Sequence, residues 1–239
     1  MSIDDQQSWL AKPIGAYLLE REQCLFDQAV ADVFGFNALQ IGLPQANLLQ
    51  QCRMPFMFHT DQERGEVLSD STQLPFSANT IDLLLMPHTL DFSEDPHQTL
   101  REAERVLVAE GHLMISGFNP LSSWGVKRML GKRQGYPWHG NFLPLLRIKD
   151  WLALLGFEII STGMTCYAPP WVSARWLERS RFLDQAGGRW WPMRGGVYFV
   201  VARKRVLGMR VIRPNWNAAR IKPRLVASPS QKIKRNRDK

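Results

Sequence analysis

Short apolar runs, spaced along the chain and bounded by turn-forming residues, predict the strands of a sheet. The run from Ile81 to Met86 is apolar at nearly every position, which is typical of a strand buried on both faces. Six further runs of this kind lie at 38–41, 56–58, 67–68, 112–118, 157–162 and 197–202. The pattern therefore predicts seven strands.

Between these runs, apolar residues recur at helical spacing. Pro13 suits the first position of a helix that continues to about Asp32 with an apolar stripe along one face. Asp95 is a candidate N-cap of another helix, and Pro96 suits its first turn. Further helices are predicted at 47–52, 122–130 and 149–155. Because strands alternate with helices and a final pair of strands follows, we expect an α/β fold with helices on both faces of the sheet.

Three stretches stand apart from this alternation. The glycine- and aromatic-rich segment 131–140 predicts an exposed loop or lid. The Trp- and Arg-rich segment 171–194 could stack bases, line an apolar substrate pocket or form core. After about Arg205 no periodicity is sustained, and we expect a mobile basic extension. We therefore divide the chain into an N-terminal helical segment at 1–35, a main domain at 36–205 and a basic, disordered tail at 206–239.

The net charge of +8 is concentrated in that tail. Residues 203–239 have thirteen Lys and Arg residues and a single acid, Asp238, whereas the rest of the chain has a net charge of −4. Such a tail can contact RNA, DNA or an anionic membrane surface, or it can be a solvated extension without a partner. The charge of the tail therefore says little about a site in the main domain.

Composition narrows the class of protein. The chain has 239 residues, 45% of them hydrophobic, which is enough to form a full core. No stretch approaches the roughly 18 apolar residues of a transmembrane helix, and the polar start at 1–7 does not resemble a signal peptide. Three scattered cysteines do not form a disulfide framework. We expect a soluble, cytoplasmic protein.

The segment from Ser69 to Asn119 holds several short motifs in a fixed order. They are Asp70, Leu74-Pro75-Phe76, Ile81-Asp82, Asp95-Pro96, Leu100-Arg101-Glu102, Arg105-Val106-Leu107 and the strand after Gly111. Their order and spacing resemble the class I S-adenosylmethionine (SAM)-dependent methyltransferases, specifically the small-molecule-type group called methyltransferase type 11. The resemblance extends more loosely over residues 36–204. It implies a Rossmann-like sheet of seven strands, mostly parallel with an antiparallel last strand, and SAM as the cofactor.

The resemblance also implies roles for individual residues. Asp70 would accept a hydrogen bond from the adenine amino group, and Leu74 would wall the adenine slot or pack the turn. Asp61, or Glu63 near it, would hold the ribose hydroxyls, and Met86 would lie near the transferable methyl group. The alternative for all three acids is a position in a solvent-exposed turn or loop.

The stretch from Leu39 to Gln45, at the end of the first predicted strand, departs from the family pattern of a strand, an acid and a Gly-x-Gly-x-Gly-like loop. Gln40 replaces the acid, Gly42 is the one glycine that remains, and Pro44 has no N–H to offer a ligand. The resemblance implies that Gln40 and Gly42 border the methionyl end of SAM, with the Gln40 carboxamide as a hydrogen-bond partner.

His88 is the candidate catalytic residue, because it follows the fourth strand, where the cofactor crevice of an open α/β sheet lies. Its ordinary pKa near 6.5 suits a general base at neutral pH. The alternative is a histidine that packs or orients the substrate, with Asp91 orienting it or capping the next turn. Neither this pair nor His59 with Asp61 makes a full metal shell, so no metal site is expected.

The predicted function is SAM-dependent methyl transfer to an unassigned acceptor, either a small molecule or a lipid-like compound. The alternative is a catalytically degenerate methyltransferase-like binding module that contacts nucleic acid through the basic tail.

Overall fold

The computed structural model describes residues 3–131, 134–171 and 193–206. The basic tail and most of the Trp- and Arg-rich segment therefore lie outside the described residues. Seven strands form one sheet in the order β3-β2-β1-β4-β5-β7-β6. The strands are β1 (Asn37–Ile41), β2 (Phe56–Asp61), β3 (Val67–Leu68), β4 (Ile81–Pro87), β5 (Leu107–Phe118), β6 (Phe157–Thr165) and β7 (Val197–Lys204).

One strand, β7, runs opposite to the other six strands of the sheet. The neighbouring pairs from β3 through β5 are all parallel. β7 lies between β5 and β6 and runs antiparallel to both. All seven predicted strands are present, and the predicted fold class, including the antiparallel last strand, is confirmed.

Helices cover both faces of the sheet. They are α1 (Ile3–Leu10), α2 (Pro13–Val30), α3 (Thr89–Phe92), α4 (Pro96–Val106), α5 (Ser123–Leu130) and α6 (Leu145–Leu154). A hydrophobic core lies on each face of the sheet, and alternate side chains of β4 point into one or the other. Leu83 and Leu85 belong to the core that includes residues of α1, α2 and α5. Leu84 and Met86 belong to the core that includes residues of α4 and α6. The N-terminal helices thus pack directly on the sheet.

Local capping explains where two of the helices begin. The Asp95 carboxylate accepts a hydrogen bond from the Gln98 N–H at 3.0 Å, and Pro96 occupies the first turn of α4, as predicted. The Ser122 hydroxyl accepts hydrogen bonds from the backbone N–H groups of Trp124 and Gly125 and so caps α5.

One predicted helix is absent, and β5 and α6 begin earlier than predicted, α6 at Leu145 and not at Lys149. Residues 47–52 form turns rather than a helix. The Asn47 side chain accepts a hydrogen bond from the Leu49 N–H, and the Gln40 side chain accepts one from the Leu48 N–H, so these groups are not available to a helix. Strand β5 begins at Leu107, five residues before the predicted start, and it bulges opposite Ile81 and Leu83, where two steps along β4 correspond to five along β5.

The N-terminal and loop segments also differ from expectation. α1 was not predicted, since its residues are mostly polar. The segment 131–140 was expected to be exposed, but Tyr136 is buried and its ring contacts Trp9 and Phe92. Among the described residues, no helix is long and apolar enough to cross a membrane.

Candidate functional site

A cavity of about 650 Å³ lies at the carboxyl ends of the central parallel strands. Its wall includes Ile41–Leu43 after β1, Asp61–Glu63 at the end of β2 and Pro87–Thr89 at the end of β4. Gln6 of α1, the segment 69–72 after β3 and the residues that lead into α4 also line it. Ligands of open α/β sheets bind in this crevice, where the strand order reverses, and the volume suits a small-molecule ligand.

The structure brings some of the predicted site residues together and separates others from the cavity. Gly42, Asp61, Asp70 and His88 line the cavity. The other three predicted residues, Gln40, Leu74 and Met86, are buried and do not line it. Leu74 and Met86 belong to the core on the α4 and α6 side of the sheet. The contacts of the four lining residues with a cofactor stay a prediction.

Gln40 shapes the loop after β1 from behind the cavity wall. Its carboxamide nitrogen donates to the carbonyl oxygens of Gly42, Leu43 and Ala46, the last at 2.7 Å. Its carboxamide oxygen accepts the Leu48 N–H at 2.9 Å. The loop backbone turns at Gly42 and Leu43, with φ angles of 76° and 52°. One side chain therefore holds a left-handed turn at a place where the family pattern has further glycines.

The charged residues that line the cavity are mostly acidic. Five carboxylates line it, namely Asp61, Glu63, Asp70, Glu94 and Asp95, and no Lys or Arg of the described part of the chain does. One oxygen of Asp61 accepts the Glu63 N–H at 3.1 Å, and one oxygen of Asp70 accepts the Thr72 N–H at 2.8 Å. These bonds fix the two carboxylates at the cavity edge. The lining as a whole favours a ligand with hydrogen-bond donors and positive charge.

The segment that carries Asp70 is attached to α4 by hydrogen bonds from an ion pair within that helix. The Arg105 guanidinium donates to the carbonyl oxygens of Leu74 and Phe76 at 3.0 and 2.9 Å and to the Glu102 carboxylate. Glu102 in turn accepts the Leu74 N–H. The hydrogen bond from Arg105 also lowers the pKa of the Glu102 carboxyl. Four of the residues in the sequence motifs thus form one network that holds the wall after β3.

His88 lies between two buried carboxylates. Its Nδ1 is 3.0 Å from Asp91 Oδ2, and its Nε2 is 2.9 Å from Glu22 Oε1 of α2. The side chains of His88 and Glu22 are each 1% exposed. Asp91 Oδ2 also accepts the Phe118 N–H at 2.9 Å, and the Phe118 ring stacks on the imidazole at 4.0 Å. We call Glu22, His88 and Asp91 the charge clamp.

The charge clamp and its burial shift the pKa values of His88 and Asp91. Burial disfavours the imidazolium, but the charge of Glu22 and the hydrogen bonds to Asp91 and Glu22 outweigh it and raise the pKa of His88 to about 9. Burial raises the pKa of Asp91, and the hydrogen bond with His88 opposes that rise. Burial and the charge of Glu22 raise the pKa of the Tyr136 hydroxyl. At neutral pH the clamp therefore holds a protonated histidine.

We expect the protein to lose stability as the pH rises from 6.5 towards 9. His88 has its ordinary pKa of 6.5 in the unfolded chain and a pKa of about 9 in the folded chain, so the folded state binds the proton more tightly. Its contribution to stability is complete below the unfolded value and is lost as the pH rises through the folded value. Urea unfolding from about pH 6 to about pH 10 measures this loss.

A matched pair of variants assigns that pH dependence to His88. His88→Asn retains a residue type that tolerates the left-handed backbone found here, where φ is 52°, but it cannot be protonated. His97→Asn alters an exposed histidine on α4. The pH-dependent loss should be smaller in the first variant and unchanged in the second. An equal loss in both variants would mean that His88 does not carry it.

Glu22 is a site residue that the sequence analysis missed. It falls among the apolar stripe positions of α2, four residues after Leu18 and three before Leu25, and is buried there. A carboxylate inside an apolar helical stripe needs a partner of opposite charge, and this was the available signal. The position of that partner could not be read from the pattern, since it depends on how α2 packs against the end of β4.

Comparisons with known proteins agree with this architecture. A family model described as "Methyltransferase domain" matches residues 25–115. The uncharacterized protein YafS of Escherichia coli K12 is 32% identical over 183 residues, which cover 73% of this chain and 71% of YafS.

Two solved structures share the fold. A SAM-dependent methyltransferase of Thermotoga maritima, described as a possible histamine N-methyltransferase, has a TM-score of 0.60 at 17% identity over 85% of this chain and 96% of that chain. A SAM-dependent methyltransferase of Archaeoglobus fulgidus has a TM-score of 0.55 at 14% identity over 78% of this chain and 94% of that chain.

Proposed function

Since this chain belongs to the class I SAM-dependent methyltransferase family, whose cofactor is SAM, we propose that it transfers the SAM methyl group to a small-molecule or lipid-like acceptor. The observation that carries the proposal is the cavity at the carboxyl ends of β1, β2 and β4, with its five carboxylates. Its position matches the general ligand crevice of such sheets.

The residues of the cavity fit SAM chemically. The adenine amino group and the ribose hydroxyls are hydrogen-bond donors, and carboxylates are strong acceptors for them. Asp70 would hold the adenine, and Asp61 or Glu63 would hold the ribose. Gly42 and Leu43 would border the methionyl end, where the left-handed turn exposes backbone groups to the cavity. The acidic lining also suits the ammonium and sulfonium charges.

The chain contributes orientation rather than a nucleophile. When bound, SAM supplies an electrophilic methyl group, and its departure leaves a neutral thioether. His88 has both ring nitrogens facing carboxylates and is protonated at neutral pH, so it does not serve as a general base there. We assign it the positioning role that the sequence left open. This favours an acceptor atom that already has a free lone pair near neutral pH.

The charge of the lining also bears on the acceptor. A polyanion such as nucleic acid is disfavoured at a cavity rim that carries five carboxylates and, in the described residues, no Lys or Arg. A neutral or cationic small molecule is favoured for the same reason. Histamine, the possible acceptor of the Thermotoga maritima protein, is therefore a sensible first compound for an acceptor screen.

Replacing Asp70 by asparagine should weaken SAM binding by about 10- to 100-fold, because a charge-assisted hydrogen bond contributes about 1.5–3 kcal/mol. Calorimetry with SAM and S-adenosylhomocysteine, on full-length protein freed of any co-purified ligand, measures the change. Asp150→Asn is the matched control, since Asp150 is exposed on α6 and does not line the cavity.

Two results would count against the proposal. Equal SAM affinity in Asp70→Asn and the native protein would remove Asp70 from the adenine site. No binding of SAM by clean, folded native protein would reject cofactor use by the isolated chain. The degenerate binding module would then become the leading interpretation.

A further inference from the structure

We infer that Glu22 is a positioning residue of the SAM site, acting through His88 to hold the N-terminal helices α1 and α2 against the cavity wall formed at the end of β4. The inference rests on the proposed function for the identity of the ligand. The geometry of the charge clamp carries it.

The charge clamp joins two parts of the chain that are far apart in sequence. Glu22 belongs to α2, whereas His88 and Asp91 belong to the turn after β4 and to α3. The imidazole lies between the two carboxylates, and His88 N–H also donates to the Ser116 carbonyl of β5 at 3.0 Å. A buried charge left without its partner is strongly unfavourable, so α2 cannot move away from β4 without cost.

The charge clamp pairs two carboxyl groups with one imidazole. Two carboxylates face one imidazolium, and the groups packed around them are the hydroxyls of Tyr136 and Tyr198, whose pKa values burial raises. Glu22 Oε1 faces His88 Nε2, whereas Glu22 Oε2 and Asp91 Oδ1 are buried without a hydrogen-bond partner in the described structure. His88 is therefore the side chain that compensates both buried carboxyl groups, and its protonation holds the cluster together.

From α2 the clamp reaches the cavity through α1. The two helices touch backbone to backbone, since a Cβ added at Gly15 would lie 2.5 Å from the Leu10 Cα. The Asp5 carboxylate of α1 accepts the Tyr136 N–H at 2.7 Å, and the Trp9 ring meets the Tyr136 ring at 5.3 Å. Gln6, on the same helix, lines the cavity. Fixing α2 thus fixes the helix that places Gln6 at the site.

The backbone of His88 shows the second consequence of the clamp. Its φ is 52°, a conformation that non-glycine residues rarely adopt. The same residue and its neighbours Pro87 and Thr89 line the cavity. By holding the side chain on both sides, Glu22 and Asp91 keep this turn in the shape that forms the wall.

The test is Glu22→Gln, compared with Glu20→Gln, which makes the same chemical change at an exposed position of α2. In native protein, an NMR titration of His88 should give a pKa of about 9. In Glu22→Gln it should fall by at least about two units, which leaves about one tenth or less of His88 protonated at pH 8. SAM affinity at pH 8 should then fall about tenfold or more and recover partly at pH 6, where His88 is again protonated. Native protein and Glu20→Gln should have the same SAM affinity as each other at pH 8 and at pH 6.

The pH profile separates positioning from a merely structural role. A folded Glu22→Gln protein that binds SAM like native protein at pH 8 would overturn the inference. So would a native His88 that titrates near its ordinary value. If Glu22→Gln fails to fold, Glu22→Asp, which keeps the charge on a shorter side chain, is measured in the same way and should show an intermediate loss.

A readout without SAM distinguishes failure of this inference from failure of the proposed function. Amide hydrogen exchange in α1 should be about tenfold or more faster in Glu22→Gln than in Glu20→Gln, because α1 is held in place through α2. If native protein does not bind SAM but the two variants show this difference in exchange, the proposed cofactor is rejected and the positioning role of the charge clamp stands. Unchanged exchange in α1 would reject the clamp as a positioning device.

Discussion

Replacing Gln40 by methionine is expected to lower the free energy of unfolding by about 3–5 kcal/mol, the range of the most damaging single substitutions. The volume is nearly kept, but three carbonyl oxygens and one N–H of the loop after β1 lose their partner. Each buried polar group left unpaired costs about 1–3 kcal/mol, and part of that is recovered as the loop relaxes towards solvent. Urea unfolding at a fixed pH measures the loss.

Gln50→Met is the control for this substitution, since it makes the same change at an exposed position of the same loop. It should stay within about 0.5 kcal/mol of native stability. SAM affinity should fall in the Gln40 variant and not in the control, because Gly42 and Leu43 line the cavity. A Gln40 variant that loses less than about 1 kcal/mol would show that the loop keeps its shape without this side chain.

Replacing Arg105 by methionine is expected to cost about 2–3 kcal/mol, because it removes the charged donor to two backbone carbonyls and to Glu102. The guanidinium is partly exposed, which limits the loss. The segment from Asp70 to Phe76 should loosen, and SAM affinity should fall together with stability. Urea unfolding and calorimetry on the same preparation test both effects.

Arg101→Met serves as the comparison, since Arg101 is exposed on the same helix. Both arginines belong to the motifs that define the family resemblance, but only Arg105 reaches the wall after β3. Similar losses in the two variants would mean that the effect comes from helix α4 itself and not from the network with Leu74 and Phe76.

The fold could be predicted from the sequence because its signals are local. Strands of two to twelve residues appear as apolar runs, and Asp95 and Ser122 act on N–H groups two or three residues away. The helix predicted at 47–52 was wrong because its structure depends on a contact that is not local. In that segment the Leu48 N–H donates to the side chain of Gln40, a residue that lies eight positions earlier and belongs to a strand.

The same distinction between local and distant signals applies to the candidate site. Gly42, Asp61, Asp70 and His88 all reach the cavity, because each follows or ends a parallel strand and such ends converge at one edge. Gln40 occupies a strand position whose side chain points behind the loop, and an acid-to-amide replacement does not reveal that direction. Glu22 meets His88, and Tyr136 comes close to Glu22 and Asp91, only after distant segments pack, which no periodicity encodes.

The place of β7 in the sheet affects how the chain is completed during synthesis. In the described structure β6 pairs only with β7, and β7 also covers the free edge of β5. The 39 residues from Cys166 to Lys204 must be added after β6 before that pairing exists. At about 5–20 residues per second this takes about 2–8 s, during which two strand edges stay open to other chains. A nascent chain that stalls before Val197 is therefore a candidate for chaperone capture or aggregation, whatever the stability of the finished domain.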